Sequence, residues 1–252
     1  MHINILIKSY YENSYSIDRF LSGTNVKSRI SHWKYRKLFS RLHNTVVTVC
    51  FISQSFISIT AWAQNVPGCG SLDNAYGPYD YTNPVHKRDK LNIVEGYHFT
   101  SEVENLEKGI SAHLPGPDLD YTLRAFPNHH RALYSMARYQ LQHPTIVPPP
   151  GASYSAECWF KRAMQFKPDD GTIYVIYGIY LHKKGELSNS LTQYKHAIDI
   201  IPESSELHYN MGLLYIDLKD YNSALTHAKS AYDLGYPLPG LRRKLERLGV
   251  WK

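Results

Sequence analysis

Several signatures of catalysis and cofactor binding are missing from the 252-residue sequence. It contains no HExxH pair of metal-binding histidines, no GxSxG nucleophile turn and no glycine-rich nucleotide-binding fingerprint. Its three cysteines form neither a CxxC nor a CxxCH motif, so the common zinc and haem spacings are also missing. We therefore expect a protein with no catalytic residues, no metal and no cofactor.

Charge imbalance is confined to the N-terminal quarter of the chain. Residues 1–63 contain eight Lys and Arg against two Asp and Glu, whereas residues 64–252 contain twenty of each. A neutral body without a basic stripe argues against a nucleic-acid partner, because binding to nucleic acid depends on neutralising phosphates. With 43% hydrophobic residues, the composition also excludes collagen-like, low-complexity and wholly disordered classes.

The N-terminal quarter has the features of a secretory signal peptide. Six cations lie within residues 27–41 with no acid between them, and an apolar run follows over residues 45–63. The run ends in AWA, and small residues one and three positions before the cut are what signal peptidase requires. This predicts cleavage between Ala63 and Gln64 and a periplasmic or secreted protein. A retained membrane anchor is the alternative, because the run is near the lower length limit for a membrane span.

A period of 34 residues dominates the C-terminal half of the chain. Small and helix-ending residues recur at this spacing: Ala163, Ala197 and Ala231; Pro168 and Pro202; Gly178 and Gly212. Within each period apolar side chains have helical spacing, and the glycine stands where two helices must approach closely. A fixed period of this length indicates a solenoid of stacked helix pairs.

Residues 171–202 resemble the tetratricopeptide repeat over its full length, and residues 204–235 resemble it again. An earlier copy is implied by residues 129–142 and 152–168, which match its two helices across an unusually long, proline-rich connection. The resemblance implies an all-α fold, an α-α superhelix with three repeats over residues 126–236. Residues 237–252 would then form a capping helix, since a solenoid needs one solvent-facing end.

Residues 64–125 predict a loop-rich segment with short helices. Residues 64–83 are rich in Gly, Pro, Asn and Tyr, which favours extended loop. Residues 91–99 predict a short strand or an irregular segment. Two short helices are expected over residues 101–108, where Ser and Glu form a capping box, and over residues 118–125.

Acidic and histidine residues cluster at the end of this segment: Asp118, Asp120, His129 and His130. Such a cluster invites a metal or hydrolase interpretation. However, Asp118 is suited to cap a helix N-terminus, and adjacent histidines on a helix point about 100° apart. We therefore expect structural roles, and we keep an enzyme with a site in residues 64–125 only as an alternative function.

Two cysteines follow the leader, which itself contains Cys50. The small and apolar residues Ala156 and Phe160 mark the buried face of their helix, so Cys158 lies about 200° around, on the outer face. An exposed thiol in an oxidising compartment favours a disulfide to Cys69. Two free thiols, or an envelope-assembly lipoprotein anchored through Cys69, are the alternatives.

The resemblance also implies a function, which is to bind a partner protein or peptide in a concave groove. In this family the first helix of each pair lines the groove, which selects Val175, Ile179, His182, Lys183, Tyr209, Asn210, Leu213 and Ile216. An apolar floor of this kind suits an amphipathic helix or an aliphatic segment. The alternative is that these side chains pack into the protein's own core. Membrane contact is expected only through the leader or a lipid anchor.

Overall fold

The computed structural model describes residues 65–252. The expected leader, the expected cleavage site at Ala63 and Gln64, and Cys50 lie outside these residues. The described part of the chain is helical apart from one two-stranded hairpin, in which β1 (Asn65–Val66) pairs antiparallel with β2 (Gly70–Ser71). None of its helices combines the length and the apolar character that crossing a membrane requires.

Short helices precede the repeats: α1 (Pro84–His86), a π-helical turn (Lys87–Leu91), α2 (Asn92–His98), α3 (Ser101–Glu104) and α4 (Gly116–Ala125). The repeat helices follow: α5 (His130–Gln142), α6 (Ala156–Phe166), α7 (Gly171–Lys183), α8 (Leu187–Ile200), α9 (Ser205–Asp217) and α10 (Tyr221–Asp233). The last helix is α11 (Gly240–Arg247). The all-α fold with adjacent helices packed in series agrees with the sequence.

Five of the six repeat helices, all except α8, begin at polar residues whose side chains accept a hydrogen bond from a free backbone N–H group. Asp170 accepts a hydrogen bond from the N–H of Thr172 at the start of α7. One period later, Ser204 accepts from the N–H of Leu207 at the start of α9. Such N-caps stabilise a helix by roughly 1 kcal/mol each. The 34-residue period therefore fixes helix starts as well as the buried faces.

Close approach within a repeat depends on Gly178. A Cβ at this position would fall well inside van der Waals contact with the ring of Tyr194 on α8. The hydroxyl of Ser190 donates to the Gly178 carbonyl at 2.8 Å, which joins the same two helices. The expected glycine contact is therefore confirmed.

The prediction of a strand or irregular segment over residues 91–99 is wrong. This stretch continues the π-helical turn into α2. Leu91 and Val94 lie three residues apart, so a helix places both on one face, where they pack with Phe126. The β-branched residues and the glycine of this stretch disfavour a helix locally, but the buried face outweighs that preference.

The expected capping box is also absent from α3, which spans only Ser101–Glu104. The hydroxyl of Ser101 donates to Glu102 instead, and Glu104 pairs with the guanidinium of Arg131. A carboxylate bound to a guanidinium gains more than one bound to a neutral backbone N–H. The chain then leaves the helix through Leu106, which has a positive φ of 64°.

Asp118 does not cap α4, which begins two residues earlier at Gly116. Its buried carboxylate accepts hydrogen bonds from the N–H groups of Ile110 and Ser111 and from the Ser111 hydroxyl. These bonds hold the loop before α4 against the helix. The expectation was wrong because the loop folds back across the helix start, which local spacing does not reveal.

Candidate partner-binding surface

The buried part of the expected groove lies on α7 and α9. Val175, Ile179 and Tyr209 are only 3%, 7% and 4% exposed, and they belong to the hydrophobic core. Asn210 is buried as well, and its side-chain amide donates to the carbonyl of Glu206 at 2.9 Å. These four side chains are therefore buried inside the protein.

The accessible part of the groove is a row of four side chains. Leu213, Ile216 and His182 are half-buried, and Lys183 is exposed. The ring nitrogen Nε2 of His182 lies 2.7 Å from a carboxylate oxygen of Asp217 and joins α7 to α9. This hydrogen bond lowers the pKa of Asp217, so the carboxylate stays charged. The row therefore combines two aliphatic side chains with a polar edge.

The segment that precedes the repeats contacts α5, the first helix of the first repeat. Glu104 pairs with the guanidinium of Arg131 on α5. The backbone carbonyl of Glu104 accepts a hydrogen bond from the hydroxyl of Ser135 at 2.9 Å and one from Arg138 at 3.4 Å. Helix α3 thus packs against α5, and the accessible row is confined to α7 and α9.

Comparison with known families identifies the repeats. A family model described as TPR repeat matches residues 178–219. Residues 178–219 therefore match a tetratricopeptide repeat. The match runs from the middle of α7 through α8 and α9, so it contains Leu213 and Ile216 of the accessible row. The search of curated proteins found no match to the chain.

The two adjacent histidines of the predicted acidic and histidine cluster make separate structural contacts. Nε2 of His129 lies 3.0 Å from Glu95, and its Nδ1 accepts from the N–H of Ala132. Complete burial lowers the pKa of His129, which keeps the ring neutral. Nε2 of His130 lies 2.7 Å from Asp170 on the next repeat. The pair thus joins α5 to two different neighbours.

The acidic side chains of the cluster also have hydrogen-bond partners within the protein. Asp120 on α4 accepts hydrogen bonds from the N–H and hydroxyl of Ser153, in the connection before α6. Among the described residues, no group of three or more His, Cys, Asp or Glu side chains is arranged to hold a metal ion. The structure therefore gives Asp118, Asp120 and the two histidines roles in holding the helices together.

The two remaining cysteines are joined in the structure by a disulfide between Cys69 and Cys158. Cys69 is 2% exposed, and Cys158 is half-buried on the outer side of α6. A lipid anchor needs the sulfur of Cys69 for a thioether, so the lipoprotein alternative does not fit this structure. The bond attaches the N-terminal hairpin to the first repeat.

Arg162 reinforces this attachment, and the sequence analysis missed it. The side chain is 2% exposed and donates to the carbonyls of Cys69 and Ser71 at 2.9 and 2.6 Å. Its guanidinium also lies over the ring of Trp159. The available signal was its position four residues after Cys158, which places both on the same face of α6.

Proposed function

We propose that this protein is exported and acts as a non-catalytic scaffold that binds a segment of a partner protein along α7 and α9. The observation that carries the proposal is the accessible row of Leu213, Ile216 and His182 on α7 and α9, the two helices that flank α8 within the family match. Repeats of this family serve protein–protein interaction, which is why the surface of these helices is the candidate site.

The chemistry of the row defines the partner segment. Leu213 and Ile216 lie about one helical turn apart and offer aliphatic contact. The polar edge formed by His182 and Asp217 lies beside them. An amphipathic helix or an extended aliphatic segment can cover such a row while keeping its polar side in water. The partner is therefore a protein segment with aliphatic side chains along one face.

Export is supported by the leader and by the disulfide. A charged segment, an apolar run and an AWA end precede Gln64. The bond between Cys69 and Cys158 suits an oxidising compartment, such as the periplasm or the cell exterior. We propose cleavage between Ala63 and Gln64, and N-terminal sequencing of the mature protein should begin at Gln64. A mature protein that retains residues 45–63 would contradict this.

Site-specific photo-crosslinking in the native envelope tests the binding surface. A photoreactive residue replaces Ile216 or His182 in the accessible row. In matched controls it replaces Lys195 on α8 or Lys229 on α10, which are exposed on the second helices. We expect one partner band to form from the two row positions and to be absent from the two control positions.

Two results would contradict the proposal. Crosslinks that are equally strong at Lys195 and Lys229 would place the partner elsewhere or show non-specific contact. Alternatively, the row could be covered by the protein itself. In that case Ile216 and His182 would yield only crosslinks within the chain, and no partner band would appear.

A further inference from the structure

Two half-buried histidines face each other across the helices of the last repeat. His208 lies on α9 and His227 on α10, and their Nδ1 atoms are 2.9 Å apart. His208 lies on a different side of α9 from the accessible row, because five residues separate it from Leu213 and turn the helix by about 140°. The histidine pair is therefore separate from the row, and what it binds does not depend on a partner there.

The separation of the two nitrogens matches that of neighbouring ligands on a metal ion. Imidazole nitrogens bind such ions at about 2.0–2.1 Å. Two bonds of this length that enclose about 90°, as adjacent ligands do in a square-planar or tetragonal site, place their nitrogens about 2.9 Å apart. At the tetrahedral angle the same bonds need about 3.3–3.4 Å. The spacing of 2.9 Å therefore favours an ion with tetragonal geometry.

A backbone contact fixes which nitrogen of His208 can act as a ligand. Its Nε2 lies 2.9 Å from the carbonyl oxygen of Pro202. A carbonyl can only accept a hydrogen bond, so the ring proton is on Nε2 and the lone pair is on Nδ1. Metal-binding histidines are typically held in this way, with the second ring N–H donating to a backbone carbonyl. The contact therefore presents Nδ1 of His208 to α10 in the form that binds a metal.

Packing against an aromatic ring orients His227. Its ring stacks on that of Tyr215, with the ring centroids 5.3 Å and the ring planes 11° apart. Tyr215 follows His208 by seven residues, so the two lie on the same side of α9. Nδ1 of His227 donates its proton to Nδ1 of His208 in the hydrogen bond that joins them. To bind an ion, His227 must instead carry this proton on Nε2, and exchange with water permits the change while both rings stay neutral.

We propose that His208 and His227 form a two-histidine site for a divalent transition-metal ion, and that copper(II) is the ion bound most tightly. The ion replaces the hydrogen bond between the two Nδ1 atoms. It lies beside the line that joins them, and each ring turns slightly toward it. Water completes the coordination, since among the described residues no group of three or more His, Cys, Asp or Glu side chains is placed to hold an ion.

The choice of copper(II) follows from its geometry and its affinity. Copper(II) favours a tetragonal arrangement of nitrogen and oxygen ligands, which two imidazoles at about 90° and bound water molecules supply. Among the divalent ions of the first transition row it also binds a given set of such ligands most tightly. Zinc(II) favours the tetrahedral arrangement, for which the two nitrogens lie too close together. The bound ion links α9 to α10 through one bond to each helix.

Titration of the mature protein, without a histidine tag, with copper(II) tests the proposal. Glycine serves as a competing chelator, so that weak surface sites stay unoccupied. We expect one ion to bind per chain. Because copper(II) is paramagnetic, it should first broaden the amide NMR signals of His208, Tyr215 and His227. Nickel(II) and zinc(II) should bind at least about tenfold more weakly, in line with the order of affinities.

Variants distinguish one shared ion from two separate sites. His208→Gln and His227→Gln each remove one nitrogen, and each should weaken the binding of copper(II) at least about tenfold. The double variant should bind little more weakly than either single variant, because the two ligands act as a unit. The matched control is His196→Gln, at an exposed histidine on α8, which should bind as the parent does.

Three results would overturn the proposal. Equal binding of copper(II) by the parent and the double variant would place the ion elsewhere. Broadening that begins at His196 or at several histidines together would show adventitious surface binding only. Finally, glycine could prevent any binding, in which case the pair forms a hydrogen bond and no metal site. The broadening is measured on the parent chain, so the test remains decisive if a variant fails to fold.

Discussion

At the scale of single residues, two glycines have opposite surroundings. Gly178 on α7 faces the ring of Tyr194 with no room for a methyl group, whereas Gly96 on α2 faces open space. Both are helical, so both carry the entropic penalty of glycine in a helix. Only at Gly178 does a close helix–helix contact, with the ring of Tyr194, offset this penalty.

Replacing each glycine by alanine should therefore change stability in opposite directions. Gly178→Ala should lower the free energy of unfolding by roughly 1–3 kcal/mol, because the added methyl overpacks the α7–α8 contact. Gly96→Ala should raise it by about 0.5–1 kcal/mol through the unfolded state. Denaturant midpoints of the mature protein measure both. A Gly178→Ala variant as stable as the parent would show that Tyr194 moves aside freely.

Some residues were predictable from spacing and others were not. Gly178 stands at a fixed place in a 34-residue period, so its partner helix follows from the sequence alone. Arg162 and Gln140 carry no such signal. Their roles depend on backbone carbonyls that long connections bring to them, at Cys69 and Ser71 for the arginine and within the connection for the glutamine. Local patterns do not report such distant partners.

At the scale of the elements, a histidine pair joins the two helices of the last repeat. Nδ1 of His208 on α9 lies 2.9 Å from Nδ1 of His227 on α10, and Nε2 of His208 lies 2.9 Å from the carbonyl of Pro202. His208 therefore donates through Nε2 and accepts from His227 through Nδ1. Burial, with a smaller contribution from His208, lowers the pKa of His227 to about 4.

The α9–α10 contact should consequently weaken in acid. A histidine in the unfolded chain has a pKa near 6.5. Between about pH 4 and 6.5, His227 is therefore protonated in the unfolded chain but neutral in the folded protein. The free energy of unfolding then falls as the pH is lowered through this window and is unaffected above it. The slope from one such group is at most about 1.4 kcal/mol per pH unit.

Stability measured against pH for His227→Gln tests this assignment. The variant should lose that part of the slope between pH 6.5 and 4, while His196→Gln, at an exposed position on α8, should keep the parent profile. Other groups also titrate in this range, so the difference between the two variants is the informative quantity. Identical slopes in both would show that His227 does not drive the loss.

The elements differ in how far the sequence determined them. Helices α7 to α10 follow from periodicity because each buries one face against its immediate neighbour. In the preceding segment, Asn128 donates to Asp80 and Asp170, and the backbone N–H of Tyr81 donates to Asn128. Partners up to 48 residues apart create that packing. Such a segment has no sequence period. The sequence therefore missed α1 and α2 and extended α3 too far, and it predicted only α4 to within two residues.

At the scale of the whole molecule, one covalent bond closes a loop of 89 residues between Cys69 and Cys158. The loop contains α1 to α5 and the connection to α6. Closing a loop of this length restricts the unfolded chain, and disulfides typically contribute about 2–5 kcal/mol in this way. The same bond holds the hairpin over Arg162, so the bond and the buried guanidinium support each other.

A protein that consists of residues 64–252 and therefore lacks Cys50 should contain no free thiol when it is denatured without reductant. The double variant Cys69→Ser, Cys158→Ser should unfold with a free energy about 2–5 kcal/mol lower than the parent. Addition of a reductant provides the control, because it should destabilise the parent by a similar amount and leave the double variant unchanged. Two titratable thiols in the denatured, unreduced parent would refute the bond.

The bond also determines how the molecule carries tension. A pull applied at residue 65 and at the C-terminus travels along the hairpin to Cys69, crosses the sulfur atoms to Cys158, and continues through α6 to α11. The closed loop lies off this path. Helices α1 to α5 would therefore stay folded under a load that extends the later repeats, and only reduction of the bond would expose them to the force.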